Sequence, residues 1–84
     1  MIFESVIADI VCEHTRQLDL WSVQDHDPFH WLSILGEEVG EACQAANKAH
    51  WNHASWANYR HELVQVAAVA CAAVECLDRH EGRP

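Results

Sequence analysis

The sequence predicts an all-α protein, a three-helix protomer that completes a four-helix-bundle-like core by oligomerisation. Apolar residues recur at helical spacing in three segments, and no segment shows the alternation of a β-strand. The last of these segments is also more apolar than two neighbouring helices can cover. The chain has 84 residues without an internal repeat or linker, so we expect a single domain over 1–84.

The first helix is predicted from about Phe3 to Leu20, where apolar residues recur at helical spacing with charged residues between them. The apolar positions are Phe3, Val6, Ile7, Ile10, Val11 and Leu18, and the charged ones are Glu4, Asp9, Glu13 and Arg16. This pattern is typical of an amphipathic helix. The polar segment 21–27 has no helical period and is expected to form a loop.

The second and third helices have recognisable boundaries. Asp27 is a good cap and Pro28 a good first-turn residue for a second helix that continues to about His50. Segment 51–55 breaks the pattern, and a third helix is predicted from about Trp56 to His80. Gly82 and Pro84 then end the chain.

The third helix is the reason to expect self-association. From Leu63 to Leu77 its only polar residues are Gln65 and Glu75. A helix that is apolar on nearly all sides is usually buried on nearly all sides, and two other short helices cannot cover it. We therefore expect a homodimer or tetramer, with an interface that includes Val66, Ala70 and Val74.

Charge and hydropathy exclude several classes of partner. The formal net charge is −8, from thirteen acidic and five basic residues, which argues against polymeric nucleic acid and anionic membranes. A small polyanionic substrate remains compatible with this charge if a metal ion neutralises it. The longest apolar run, Val66 to Val74, is far shorter than the roughly 20 residues that span a bilayer. No secretory signal is evident, so the expected location is cytoplasmic.

The four cysteines form no CxxC pair. They are Cys12, Cys43, Cys71 and Cys76, each within an apolar, helix-like segment. We expect buried small hydrophobic residues in a reducing compartment, and a zinc site is the alternative that the seven histidines leave open.

Two pairs of polar residues have the spacing of a helical metal site. Glu38 and Glu41 lie three residues apart, roughly 60° around the axis and about 4.5 Å along it, so both carboxylates point the same way. Glu62 and Gln65 repeat this spacing on the third helix, and antiparallel packing would bring the pairs together. Hard oxygen ligands favour Mg²⁺, with Mn²⁺ as a substitute. The alternative for any single pair is a solvated helix face, which is our interpretation of Glu37.

Three stretches resemble a known family. LGEEVGE at 35–41 resembles the EExxE half of the MazG-like signature, and HELVQV at 61–66 resembles its second half, ExxD. The front of the chain, from Arg16-Gln17 through Trp21 to Gln24-Asp25-His26 and Trp31-Leu32, is similar to small MazG-like proteins of phages and mobile elements. The resemblance, to the all-α nucleoside triphosphate pyrophosphohydrolases, covers nearly the whole chain.

The resemblance implies a reaction and a set of site residues. Metal-dependent hydrolysis would convert a nucleoside or deoxynucleoside triphosphate to the monophosphate and pyrophosphate. By position, Glu38, Glu41 and Glu62 would be metal ligands, and Gln65 would complete the catalytic set. Relatives carry Asp where this chain has Gln65, and often Lys and Gly at the positions of Leu20 and Ser22. The loss of charge at Gln65 leaves open a catalytically retired nucleotide-binding or helical dimerisation module.

Other residues are candidates for substrate binding. Trp21, Gln24, His26 and Trp31 can form a base pocket, because aromatic rings stack on bases and a Gln amide can hydrogen-bond a base edge. Core packing is the alternative for each tryptophan. Lys48 lies about two helical turns beyond Glu41 and is a candidate contact for a β- or γ-phosphate, with an exposed lysine as the alternative.

Overall fold

Three α-helices make up most of the computed structural model, which describes residues 2–81. They are α1 (Ile2–Trp21), α2 (Pro28–Trp51) and α3 (Trp56–Glu81), joined by segments 22–27 and 52–55. The all-α class and the three-helix order are confirmed, with no strand between residues 2 and 81. Each helix end lies within one residue of its predicted position; Gly82 and Pro84 lie outside the described residues.

The helix starts are set by side-chain caps. The Asp27 carboxylate accepts a hydrogen bond of 3.0 Å from the backbone N–H of His30, and Pro28 occupies the first turn of α2. The hydroxyl of Ser55 accepts one of 3.0 Å from the N–H of Ala57 at the start of α3. The predicted Asp27 cap is therefore confirmed, and the Ser55 cap is one that the sequence analysis did not identify.

Helix α3 is the central element, because it packs against both α2 and α1, whereas the backbones of α1 and α2 approach no closer than 8 Å between Cα atoms. The core lies mainly between α2 and α3. It consists of buried Trp31, Val69 and Cys76, with Ile34, Leu35, Ala72 and Ala73 packed around them. The expectation that a single chain cannot bury α3 on all sides agrees with Val74, which is 58% exposed.

Helix α1 is oriented differently from the usual amphipathic arrangement. Its apolar stripe, defined as Phe3, Ile7, Val11 and Leu18, is exposed, with values from 40% at Leu18 to 69% at Phe3. Glu13, which the pattern placed on the polar side, is instead buried at 7% exposure. The side of α1 that packs on α3 therefore carries Glu13 together with half-buried Val6 and Ile10, and the apolar stripe faces outward.

The single chain is more open than a compact monomer of its size. Its accessible surface is 6146 Å², whereas about 5,000 Å² is typical of a 9.5 kDa monomer. Its radius of gyration is 14.2 Å, compared with about 12 Å for a compact domain of this length. Much apolar surface is thus uncovered. Within the described range, no helix is both long and apolar enough to cross a membrane.

The cysteines differ from the expectation of burial. Cys76 is buried, but Cys12, Cys43 and Cys71 are exposed on the single chain, and all four are free thiols. The expectation of buried cysteines is therefore wrong for three of them, because they lie on helix sides that no other helix of the chain covers.

Candidate metal centre and adjoining groove

The packing of α2 against α3 brings three carboxylates together. Glu38 and Glu41 project from α2 and Glu62 from α3, and one oxygen of each lies within 4.8 Å of the others. The helical spacing of Glu38 and Glu41 aligns the first two, and the reversal of the chain at 52–55 supplies the third. Three of the four residues that the sequence grouped from two separate segments are therefore neighbours in space.

This cluster contains unsatisfied buried oxygens. One carboxylate oxygen of Glu38 and one of Glu62 are buried without a hydrogen-bond partner. Burial, reinforced by the charges of Glu41 and Glu62, raises the pKa of the Glu38 carboxyl. Burial and the neighbouring Glu41 likewise raise the pKa of Glu62. An unpartnered buried carboxylate is unfavourable, so a proton or a cation at this point would stabilise the fold.

Helix α1 contributes a fourth carboxylate nearby. Glu13 accepts hydrogen bonds from the Arg16 guanidinium at 2.7 and 2.8 Å and from the Gln17 amide at 2.9 Å. The Arg16 hydrogen bond is the main reason that the pKa of Glu13 is lowered, so Glu13 stays ionised. Its charge is one of those that raise the pKa of Glu38. The sequence analysis missed this role, although the i, i+3 and i, i+4 spacing of Glu13, Arg16 and Gln17 indicates mutual contact.

Gln65 makes a local contact on its own helix. Its amide nitrogen lies 3.3 Å from Nε2 of His61, one turn earlier, and the residue is half-buried. This contact uses the amide nitrogen of Gln65 and not the amide oxygen, which is the atom that could bind a cation.

A groove of about 350 Å³ adjoins the carboxylates, between the three helices and segment 22–27. Glu38 lines it together with three of the predicted base-pocket residues, Trp21, Gln24 and Trp31. Trp21 is 55% exposed and free to meet a ligand, whereas Trp31 is 6% exposed and belongs to the core. Trp31 is therefore mainly a core residue, and only a small part of its side chain reaches the groove.

The groove also contains charged residues that the sequence analysis did not single out. His14 and Glu75 line it, and their side chains meet in a hydrogen bond between α1 and α3. Arg79 lines it as well, while its guanidinium donates to the Gln24 carbonyl at 3.2 Å. Contacts between residues this far apart in the chain leave no local pattern in a sequence.

Two predicted substrate-binding residues lie elsewhere. The His26 ring stacks on His30 at 4.2 Å and meets Trp31 edge-on at 5.0 Å. It lines a different groove, between the start of α2 and the end of α3. Lys48 is exposed near the end of α2 and is not among the residues that line the Trp21 groove. The structure therefore brings Trp21, Gln24 and Trp31 to Glu38, but neither His26 nor Lys48.

Comparison with protein-family models finds no match to this chain, and neither curated proteins nor solved structures give one.

The carboxylate cluster predicts a pH-dependent stability in the absence of divalent metal. A carboxyl whose pKa is raised on folding binds its proton to higher pH in the folded chain, so stability falls as pH rises above 4.5 through the raised pKa values of Glu38 and Glu62. Glu62→Gln removes one of these charges. We expect a higher melting temperature at pH 7 in EDTA, because the variant has less repulsion within the cluster. A gain of about 1 kcal/mol in the free energy of unfolding corresponds to a rise of about 4–8 °C.

Thermal melts from pH 4.5 to 7.5 test this prediction. The range begins at 4.5 because that is the ordinary pKa of a Glu carboxyl, which applies in the unfolded chain. Glu37→Gln is the control, because Glu37 is an exposed carboxylate on the same helix. It should change the melting temperature much less. A wild-type melting temperature that rises steadily over this range would contradict the raised pKa values of Glu38 and Glu62.

Proposed function

We propose that this protein is a metal-dependent pyrophosphohydrolase that converts a nucleoside or deoxynucleoside triphosphate to the monophosphate and pyrophosphate in the cytoplasm. The observation that carries the proposal is the convergence of Glu38, Glu41 and Glu62, with one unpartnered buried oxygen on Glu38 and another on Glu62. The resemblance of 35–41 and 61–66 to the MazG-like signature gives the same three residues.

The donor set fits Mg²⁺, with Mn²⁺ as a substitute. All three groups offer hard carboxylate oxygens, and ligands on opposite sides of a Mg²⁺ ion are about 4 Å apart. The three oxygens lie within 4.8 Å of one another, so small side-chain rotations would bring them to one ion. Bound Mg²⁺ would offset charge on the triphosphate and lower the pKa of an attacking water. The negative chain itself offers few cations for this purpose, which is why an acidic protein needs the metal.

The groove beside Glu38 is the proposed binding site for the base of the substrate. Glu38 lines the groove, so a triphosphate at the carboxylates would leave its base beside Trp21 and Gln24. The exposed Trp21 ring offers a stacking surface, and the Gln24 amide can hydrogen-bond a base edge. Lys48 remains a candidate contact for the terminal phosphates, from the exposed end of α2.

Self-association is part of the same proposal. The apolar stripe of α1 and the exposed side of α3 around Val74 are uncovered on the single chain. A second copy of the chain offers the same apolar surfaces and would cover them. A homodimer, or a tetramer built from it, would bury these residues in the manner of a helix-bundle core.

A second candidate is a retired relative that binds nucleotide without turnover, or a helical dimerisation module. The identity of Gln65 favours this candidate, because its neutral amide offers a cation no negative charge where the MazG-like signature has an Asp. Turnover measurements separate the two candidates, as follows.

Pyrophosphate release from a panel of NTPs and dNTPs with Mg²⁺ or Mn²⁺ is the direct test of activity. We expect slow turnover by the wild type and none by Glu41→Gln. Gln65→Asp should increase the rate about tenfold, which corresponds to about 1.4 kcal/mol of transition-state stabilisation. Glu37→Gln, the matched exposed carboxylate, should retain the wild-type rate. If wild type and Gln65→Asp bind nucleotide but are both inert, the retired-binder candidate is correct.

Trp21→Ala tests the base pocket. Because the Trp21 ring is 55% exposed, its removal should raise KM more than it lowers stability. Trp51→Ala is the matched control, since Trp51 is 72% exposed and does not line the groove. Initial rates and thermal melts on both variants give the comparison. An unchanged KM in Trp21→Ala would place the base outside this groove.

Light scattering at micromolar concentration tests self-association. The wild type should have at least twice the 9.5 kDa mass of the chain. Val11→Glu and Val74→Glu place a charge on the two uncovered surfaces and should lower the mass towards that of one chain. Ser5→Glu adds the same charge on the opposite flank of α1 and should not. A monomeric wild type would contradict the inferred assembly.

A further inference from the structure

A second set of metal-ligating side chains lies apart from the three glutamates, where segment 22–27 meets the end of α3. Asp25, Cys76 and His80 each offer one ligand atom, and these three atoms lie within 4.8 Å of one another. Cys76 and His80 are one turn apart on α3 and share a side of the helix, and Asp25 approaches from the loop. The three residues thus come from two separate parts of the chain.

The distances suit a small tetrahedral ion. Nε2 of His80 lies 3.1 Å from Oδ1 of Asp25, and the sulfur of Cys76 lies 3.7 Å from the same oxygen. Zinc binds N and O ligands at about 2.0 Å and sulfur at about 2.3 Å, so its tetrahedral ligands are about 3.3–3.8 Å apart. An ion between these three groups therefore requires side-chain adjustment and no rearrangement of the helices.

We propose that Asp25, Cys76 and His80 form a site for Zn²⁺, distinct from the carboxylate centre. One thiolate, one imidazole and one carboxylate make a mixed set that suits zinc and does not suit Mg²⁺, which takes oxygen ligands. Cys76 is only 2% exposed, whereas more than half of the surface of each of the Asp25 and His80 side chains is exposed. The ion therefore reaches the site from solvent while the thiolate stays shielded.

The fourth coordination position is open to water. In the metal-free chain the Cys76 thiol has two possible hydrogen-bond acceptors, the His26 carbonyl oxygen at 3.5 Å and Oδ1 of Asp25 at 3.7 Å. Zinc binding replaces the S–H bond with an S–Zn bond and releases the thiol proton to solvent. The three protein ligands and one water then complete a four-coordinate site.

Arg79 is the competing partner for Asp25. Its guanidinium donates to Oδ1 of Asp25 at 3.0 Å and to the carbonyl of Gln24 at 3.2 Å, which ties the loop to α3 without a metal. An ion at Oδ1 would take the place of this Arg79 hydrogen bond on Asp25. Such an ion would also join the loop to α3, through Asp25 and His80, and this loop carries Gln24 to the groove.

Titration of the 84-residue chain with Co²⁺ in the presence of a non-chelating reductant tests the proposal, because a Co²⁺–thiolate bond gives a charge-transfer absorption band. We expect a thiolate band that saturates at one thiolate-bound Co²⁺ per chain and that Zn²⁺ abolishes by displacement. The band should be absent in Cys76→Ser. It should be unchanged in Cys71→Ser, which alters an exposed cysteine of the same helix, and in Glu62→Gln, which alters the other centre.

Cys76 is part of the core, so two variants of exposed ligands separate metal loss from misfolding. His80→Ala and Asp25→Asn should remain helical by circular dichroism and bind Co²⁺ at least tenfold more weakly. Zn²⁺ should raise the melting temperature of the wild type but not of these variants. Wild-type affinity in both folded variants, or a thiolate band that Cys71→Ser removes, would overturn the proposal. The proposed hydrolysis can fail independently, because Glu62→Gln separates the two centres.

Discussion

The packing of α2 against α3 is the contact on which the fold and both candidate centres depend. It buries Trp31 of α2 against Val69 and Cys76 of α3, which forms most of the apolar core. The same helix pair brings Glu62 to Glu38 and Glu41. Apolar burial at one part of the interface therefore holds carboxylates together at another, against the repulsion that raises the pKa values of Glu38 and Glu62.

Helix α1 turns Glu13 inward, towards the carboxylate cluster, and turns its apolar stripe outward. Glu13 is buried and ionised beside Arg16, and it adds negative charge close to Glu38. The consequence is an outward-facing apolar stripe, for which a further copy of the chain is the proposed cover. The orientation of α1 therefore has two consequences. It adds a negative charge near Glu38, and it leaves the apolar stripe outside the hydrophobic core.

The groove lies between two sets of ligands that differ in chemistry. Glu38 lines it on the side of the oxygen-only centre, and Gln24 and Arg79 line it beside Asp25. The first centre matches a hard cation that accompanies phosphates, and the second, with a buried thiol, matches zinc. A ligand in the groove would thus contact residues held in place by both centres, which connects loop position to substrate binding.

The sequence by itself determined the helices and the Glu38–Glu41 pair. Helical periodicity, the Asp27 cap and i, i+3 spacing are local properties, so they are legible without knowledge of the fold. The inclusion of Glu62 needed one further assumption, that consecutive helices pack antiparallel. These features account for the architecture of the single chain and for three members of the candidate centre.

Only the tertiary structure decided which side of α1 faces inward and that Asp25 meets His80. Burial of a charged side chain depends on partners that satisfy it, and Glu13 finds them within its own helix. The meeting of loop and α3 joins residues more than fifty positions apart. Such contacts follow from the packing of whole helices, which no local spacing encodes.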